Sequence, residues 1–166
     1  MLCPSFFRTS FFRTRFFRVV IFVISTGSLA AARDLALVAN KSNAATALTL
    51  PDLVKICKAQ TERWPEGTPV TFIMRAPGSP EMKMLLEKVY AMPEKDLDSL
   101  IVSSNHGRAD HPAILIAKSD DEVVDKVAAT PGAIGVVDVY SINSSVSVVK
   151  LAGKLPLEPG YLLHGN

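Results

Sequence analysis

The stretch Val70-Thr71-Phe72-Ile73-Met74-Arg75-Ala76-Pro77-Gly78-Ser79-Pro80-Glu81-Met82 decides the fold. Its first half has the β-branched and aromatic character of a strand. Ala76-Pro77-Gly78 then forces a turn. Ser79 is a good N-cap and Pro80 suits the first helical position, while Met82, Leu85, Leu86 and Val89 supply a stripe for burial against a core. A strand that turns straight into a helix is the repeating unit of α/β domains.

The same alternation extends outward from this unit. Upstream, Leu35-Ala36-Leu37-Val38-Ala39 reads as a buried strand. Thr49 with Asp52 forms a capping pattern for a helix whose apolar face carries Leu50, Leu53, Val54 and Cys57. Arg63-Trp64-Pro65-Glu66-Gly67-Thr68 is a turn in which Trp64 serves as a packing anchor. Downstream, Pro93 opens a helix holding Leu97, Leu100 and Ile101, and Ser103 to Pro112 is a polar loop. Ile114-Leu115-Ile116 reads as a strand, Ser119 with Glu122 caps a helix carrying Val123, Val124 and Val127, and Thr130-Pro131-Gly132 ends it. Ala133-Ile134-Gly135-Val136-Val137 is a further strand whose glycine permits close approach of another backbone, and Val146 to Leu151 is the last. The expectation is one α/β domain with no internal repeat.

Residues 1–32 read differently, as a cleavable leader preceding a domain over 33–166. A basic stretch ends at Arg18, Val19 to Ile24 is apolar, and Ser28-Leu29-Ala30-Ala31-Ala32 suits signal peptidase after Ala32 or Ala30. The run from Val19 to Ala32 is 14 residues, whereas spanning a bilayer takes about 20. Phe-Phe-Arg recurs at Phe6, Phe11 and Phe16, a period of five that fits neither helix nor strand. Export to the periplasm or beyond is the expectation.

Subtracting the leader changes the charge. The whole chain has 18 basic and 16 acidic residues, formally +2; removing Arg8, Arg13, Arg15 and Arg18 leaves 14 against 16, or −2. A mildly acidic domain lacks the clustered Lys and Arg that nucleic acid requires. Cys3 leaves with the leader, and Cys57 on an apolar helix face reads as a buried, inert thiol.

One constellation carries chemistry. Arg75 ends a strand four residues before the N-cap Ser79. A helix N-terminus offers unpaired N–H groups and the positive end of its dipole, and an arginine beside it can clamp an oxyanion with two parallel bonds. The competing reading is that Ser79 only caps its helix while Arg75 pairs with an acid such as Glu81.

From about Leu35 to Leu155 the sequence resembles the phosphate-binding proteins of ABC transporters, specifically their second lobe. The landmarks are Val38-Ala39-Asn40-Lys41-Ser42-Asn43, Leu48-Thr49-Leu50, Arg63-Trp64-Pro65-Glu66-Gly67, Arg75 with Ser79, and Thr130-Pro131-Gly132-Ala133-Ile134-Gly135. The resemblance implies a single lobe of a type 2 periplasmic-binding-protein-like fold, α/β, with a mixed sheet flanked by helices. It implies phosphate-oxygen contacts at Arg75 and Ser79. Where the family has Gly then Thr after that serine, this chain has Pro80 and Glu81, which removes a backbone donor and a hydroxyl and adds a carboxylate. The family's Gly-rich phosphate loop and first lobe have no counterpart: between Gly27 and Gly67 there is no glycine.

Other constellations are thinner. His106 and His111 flank Gly107-Arg108-Ala109-Asp110, but zinc sites need three or four ligands, so no metal is expected. Arg108 is a candidate for added positive charge near Arg75. Asp120-Asp121-Glu122 read as helix-start acids facing solvent. No nucleophile elbow or P-loop is present, and five aromatics after position 32 offer no stacking platform. The domain is therefore read as non-enzymatic and cofactor-free, binding phosphate or a similar oxyanion through Arg75 and Ser79. Implied partners are a membrane permease or another periplasmic protein and, for a lobe left open, a second copy of itself. The alternative is a periplasmic protein-interaction module derived from such a lobe that has lost its ligand.

Overall fold

The computed structural model describes residues 33–165; the expected leader lies outside them. Strand β1 (Leu35–Asn40) leads through β2 (Ala47–Leu48) to α1 (Leu50–Cys57). Then come β3 (Thr71–Arg75), α2 (Pro80–Leu85) and α3 (Leu97–Asn105). The chain continues through β4 (Ile114–Ala117), α4 (Asp120–Ala129), β5 (Ala133–Asp138), β6 (Val146–Val148) and β7 (Lys150–Leu151).

Five strands make one mixed sheet in the order β4-β3-β5-β1-β6, and β2 pairs with β7 in a separate two-stranded ribbon. β3 runs parallel to both β4 and β5, with Arg75 opposite Ala117 and Ile73 opposite Gly135. β1 runs antiparallel to β5 and β6. Helices cover both faces, so the strands read as continuous apolar runs. On one face Leu35, Leu37, Phe72, Met74, Ile134 and Val136 pack with Leu53, Ile56, Met82 and Leu85 from α1 and α2. On the other, Val38, Ile73, Ala133 and Val137 meet Val123, Val124 and Val127 of α4. The period-2 alternation within each strand thus feeds two cores.

Glycine at 135 is required by that second core. A Cβ there would stand 2.7 Å from Val123 Cγ1 and 3.0 Å from the Ile73 carbonyl oxygen, so α4 sits close to β5 only because the side chain is missing. Gly132 is tighter still, with φ +81° and the Pro69 carbonyl oxygen 2.0 Å from where a Cβ would be.

The expected elements form, with four differences. The helix opened by Ser79 is α-helical only to Leu85 and continues as a π-turn over Leu86–Tyr90. A 3₁₀ turn, Glu94–Asp96, precedes α3, which runs on to Asn105, into the stretch read as loop. The final strand is divided, because Val146–Val148 pairs with β1 whereas Lys150–Leu151 pairs with β2. Finally, the C-terminal tail has a structural role: Leu35 N–H donates to the Leu163 carbonyl, and Tyr161 and Leu163 are buried. Among the described residues no helix is long and apolar enough to cross a membrane.

Candidate functional site

β3 lies between β4 and β5, and the helices that follow β3 and β4 cover opposite faces of the sheet. The C-terminal end of β3 is therefore the point where the winding reverses, the usual place for a ligand in an open α/β sheet. Arg75 is the last residue of β3. The Ala76 N–H continues the ladder to the Ala117 carbonyl, and Gly78 at φ +83° completes the turn.

Ser79 adopts the extended N-cap conformation, and its Oγ accepts the Met82 N–H at 3.1 Å. Pro80 follows at the first position of the helix. The strand–turn–helix thus brings Arg75 and the Ser79 helix start together, and Glu81 joins them.

The Glu81 side chain is fully buried. Arg33 Nη1 donates to its Oε1 at 2.6 Å, and Arg75 Nε stands 3.6 Å from its Oε2. Burial by itself would raise the carboxyl's pKa; its own backbone N–H, Arg33 and Arg75 outweigh burial and hold it below the usual range. The carboxylate therefore sits at a helix start between two guanidinium groups, where an external anion would otherwise be expected.

A second carboxylate completes the cluster. Asp120, the first residue of α4, lies 3.1 Å from Arg75 Nε, and its side chain is only 15% exposed. This corrects the reading of the Asp120-Asp121-Glu122 run as wholly solvent-facing. Glu122 performs the helix-start role, accepting the Lys118 N–H at 2.7 Å and pairing with Lys126. Asp120 turns inward instead, and burial first, then repulsion from Glu81, push its pKa up against the pull of Arg75. Asp138, at the end of β5, adds to that repulsion, and its Oδ1 accepts the Tyr140 N–H at 2.9 Å.

Arg75 is thus shared by two acids without a bidentate fork to either. Its Nε and Nη1, Glu81 Oε2 and Asp120 Oδ1 are buried with no hydrogen bond of good geometry. Glu81 was visible in the sequence as a departure and as a partner for Arg75. Arg33 and Asp120 were missed as members of this cluster because they lie 48 residues before Glu81 and 45 after Arg75 in the chain.

The other candidates fall elsewhere. Arg108 pairs with Glu62 at 2.7 Å and lines a cavity of about 350 Å³ with Arg63, Pro69, Asp110 and His111. Those residues precede β3 and β4, at the opposite end of the strands from Arg75, so Arg108 adds no charge there. His106 and His111 gather no third ligand; among the described residues no metal-binding group of three appears. Cys57 is fully buried against Tyr90, and burial pushes the thiol's pKa far up, which leaves it inert.

Most landmarks of the family resemblance are structural. Asn40 Nδ2 donates to the Val127 and Ala128 carbonyls, tying β1 to the end of α4. The Gly132 N–H donates to Asn43 Oδ1, and the Gly132 carbonyl accepts the Trp64 indole N–H at 2.9 Å.

The fold is that of a lobe of the type 2 periplasmic-binding-protein kind. The chain belongs to the PBP superfamily domain family, whose model matches residues 25–159. Among solved structures it is similar to an ABC-type phosphate transport receptor from Vibrio cholerae, at 21% identity and TM-score 0.65 over 81% of this chain and 55% of that one. It is likewise similar to PstS from Borrelia burgdorferi, at 19% identity and TM-score 0.61 over 81% of this chain and 56% of that one. A putative phosphate ABC transporter substrate-binding protein from Clostridium perfringens, solved with bound phosphate, matches at 23% identity and TM-score 0.57 over 74% and 46% of the respective chains. The chain spans about half the length of these structures. No curated protein matches.

Proposed function

We propose that this chain is an exported, non-enzymatic lobe in which the position for a phosphate-like oxyanion is filled by its own Glu81, and that it acts as a protein-interaction module rather than a receptor for free anion. The observation that carries this reading is the buried Glu81 carboxylate held between Arg33 and Arg75. With Asp120 on the same arginine, a phosphate arriving at Arg75 meets two negative charges. It also meets a helix start lacking one N–H at Pro80.

A ligand that binds only the folded state stabilises it by RT ln(1 + [L]/Kd), about 2.7 kcal/mol at a hundredfold excess over Kd. Phosphate or sulfate titrated up to tens of millimolar is expected to leave the melting temperature of the wild type where sodium chloride of equal ionic strength leaves it. Glu81→Thr, which removes the carboxylate and supplies a hydroxyl, is expected to gain a phosphate-dependent rise that Arg75→Ala abolishes. A phosphate-specific rise in the wild type that is lost in Arg75→Ala would overturn the proposal.

That outcome would support the other reading, an oxyanion-binding domain clamped by Arg75 and Ser79 and serving a permease. One observation favours it: Arg75 Nε and Nη1 retain unused hydrogen-bonding capacity, which a phosphate oxygen could take up if Glu81 swung aside.

A further inference from the structure

Resting on the export reading alone, we infer that Asn143 accepts an N-linked glycan, taken from a sugar activated at its anomeric carbon by a phosphate leaving group. The sequence carries two Asn-x-Ser triplets, Asn40-Lys41-Ser42 and Asn143-Ser144-Ser145, the acceptor pattern for N-glycosylation in a secreted protein. Both fold into the same local turn. Asn143 Oδ1 accepts the Ser145 N–H at 2.8 Å and the Ser145 hydroxyl at 2.5 Å. Asn40 Oδ1 accepts the Ser42 N–H at 2.9 Å and the Ser42 hydroxyl at 2.7 Å. In each case the serine holds the oxygen of the carboxamide.

What separates the two is the amide nitrogen. Asn40 is 7% exposed, and its Nδ2 donates to the Val127 and Ala128 carbonyls, both at 2.8 Å. A sugar there would replace one of those donors and wedge β1 away from α4. Asn143, Ser144 and Ser145 are all exposed, and Asn143 Nδ2 donates to nothing among the described residues. The transfer needs that freedom. The nitrogen bonds to the sugar C1, the C1–O bond breaks with its electron pair leaving on the phosphate, and one amide proton passes to a base of the transferase.

The place of Asn143 in the fold gives a glycan a use. It lies between the 3₁₀ turn Val139–Ser141 and β6. β6 is one edge of the five-stranded sheet and β4 the other. The β4 edge is closed by side chains: the Asn105 carboxamide exchanges two hydrogen bonds with the Ile114 backbone, and Lys126 Nζ donates to the Ile116 carbonyl. Among the described residues no side chain makes such a bond to β6, which pairs only with β1. Open strand edges pair with other chains, and a bulky, hydrophilic glycan three residues ahead of β6 shields this one.

The test is glycopeptide mass spectrometry of the full chain, produced in its source organism and recovered from the exported fraction. Tryptic peptide 127–150 is expected to carry sugar mass at Asn143, and peptide 34–41 none at Asn40. A preassembled oligosaccharide marks a lipid-linked donor, and a single hexose a nucleotide sugar. Asn143→Gln and Ser145→Ala are each expected to abolish the modification and Ser145→Thr to keep it; all three changes fall on exposed turn residues and leave the core intact. An exported chain whose Asn143 peptide has its unmodified mass overturns the inference. So does sugar on Asn40, or sugar on Asn143 that survives Ser145→Ala. A chain absent from the exported fraction overturns the export reading, and this inference with it, so the two failures are told apart.

Discussion

Replacing Glu81 with glutamine tests the charge cluster most directly, because it keeps the shape and removes only the charge. Breaking a buried ion pair by removing one partner typically costs about 3–5 kcal/mol, since the other charge is stranded. Two features of this cluster lower that figure. Arg33 is half exposed and returns to water, and Arg75 keeps Asp120 at 3.1 Å. A loss of about 1–2 kcal/mol remains, which for a domain of this size lowers the melting temperature by about 5 °C.

The pH dependence follows from the direction of the shift. The Glu81 carboxyl is held below its ordinary range in the folded chain, so its contribution is fully present above the unfolded pKa of about 4.3. It is lost as pH falls through the lower folded value. Scanning calorimetry of wild type and Glu81→Gln between pH 7 and pH 3 should therefore show a gap at neutral pH that narrows below about pH 4. Equal stabilities at pH 7, or a gap that persists undiminished at pH 3, would refute the reasoning that Glu81 acts as an internal anion.

Asp120 should behave in the opposite sense. Burial and Glu81 raise its carboxyl's pKa, so its ionisation opposes folding, and Asp120→Asn should match or exceed the wild type in thermal stability at pH 7, with the difference fading below the carboxylate range. Gly135→Ala places a methyl 2.7 Å from Val123 Cγ1 and should cost about 1–3 kcal/mol by denaturant unfolding. Ser79→Ala removes the acceptor of the Met82 N–H and should cost about 1 kcal/mol, without altering the response to phosphate. Cys57 should resist alkylation in the native protein and react at the rate of unfolding, as a mass-spectrometric time course with and without denaturant would record.

The alternation of strands and helices and the caps at Thr49, Ser79 and Ser119 were all legible in the linear chain. Each depends on residues within a few positions of one another, and Thr49 with Asp52 closes the reciprocal pair its spacing implied. The π-turn over Leu86–Tyr90 and the division of the last strand were not legible, because each is imposed by what packs or pairs alongside.

The candidate site shows the same split. Local sequence placed Arg75 and Ser79 on a strand–turn–helix and marked Glu81 as a carboxylate added beside them. Only the tertiary structure decided what surrounds Arg75. Arg33 enters from the chain ahead of β1, Asp120 from the start of α4 and Asp138 from the end of β5, and the sheet order draws these ends to one edge. Charge interactions depend on distance in space, and nothing in the spacing of residues 33, 75, 81, 120 and 138 states that distance.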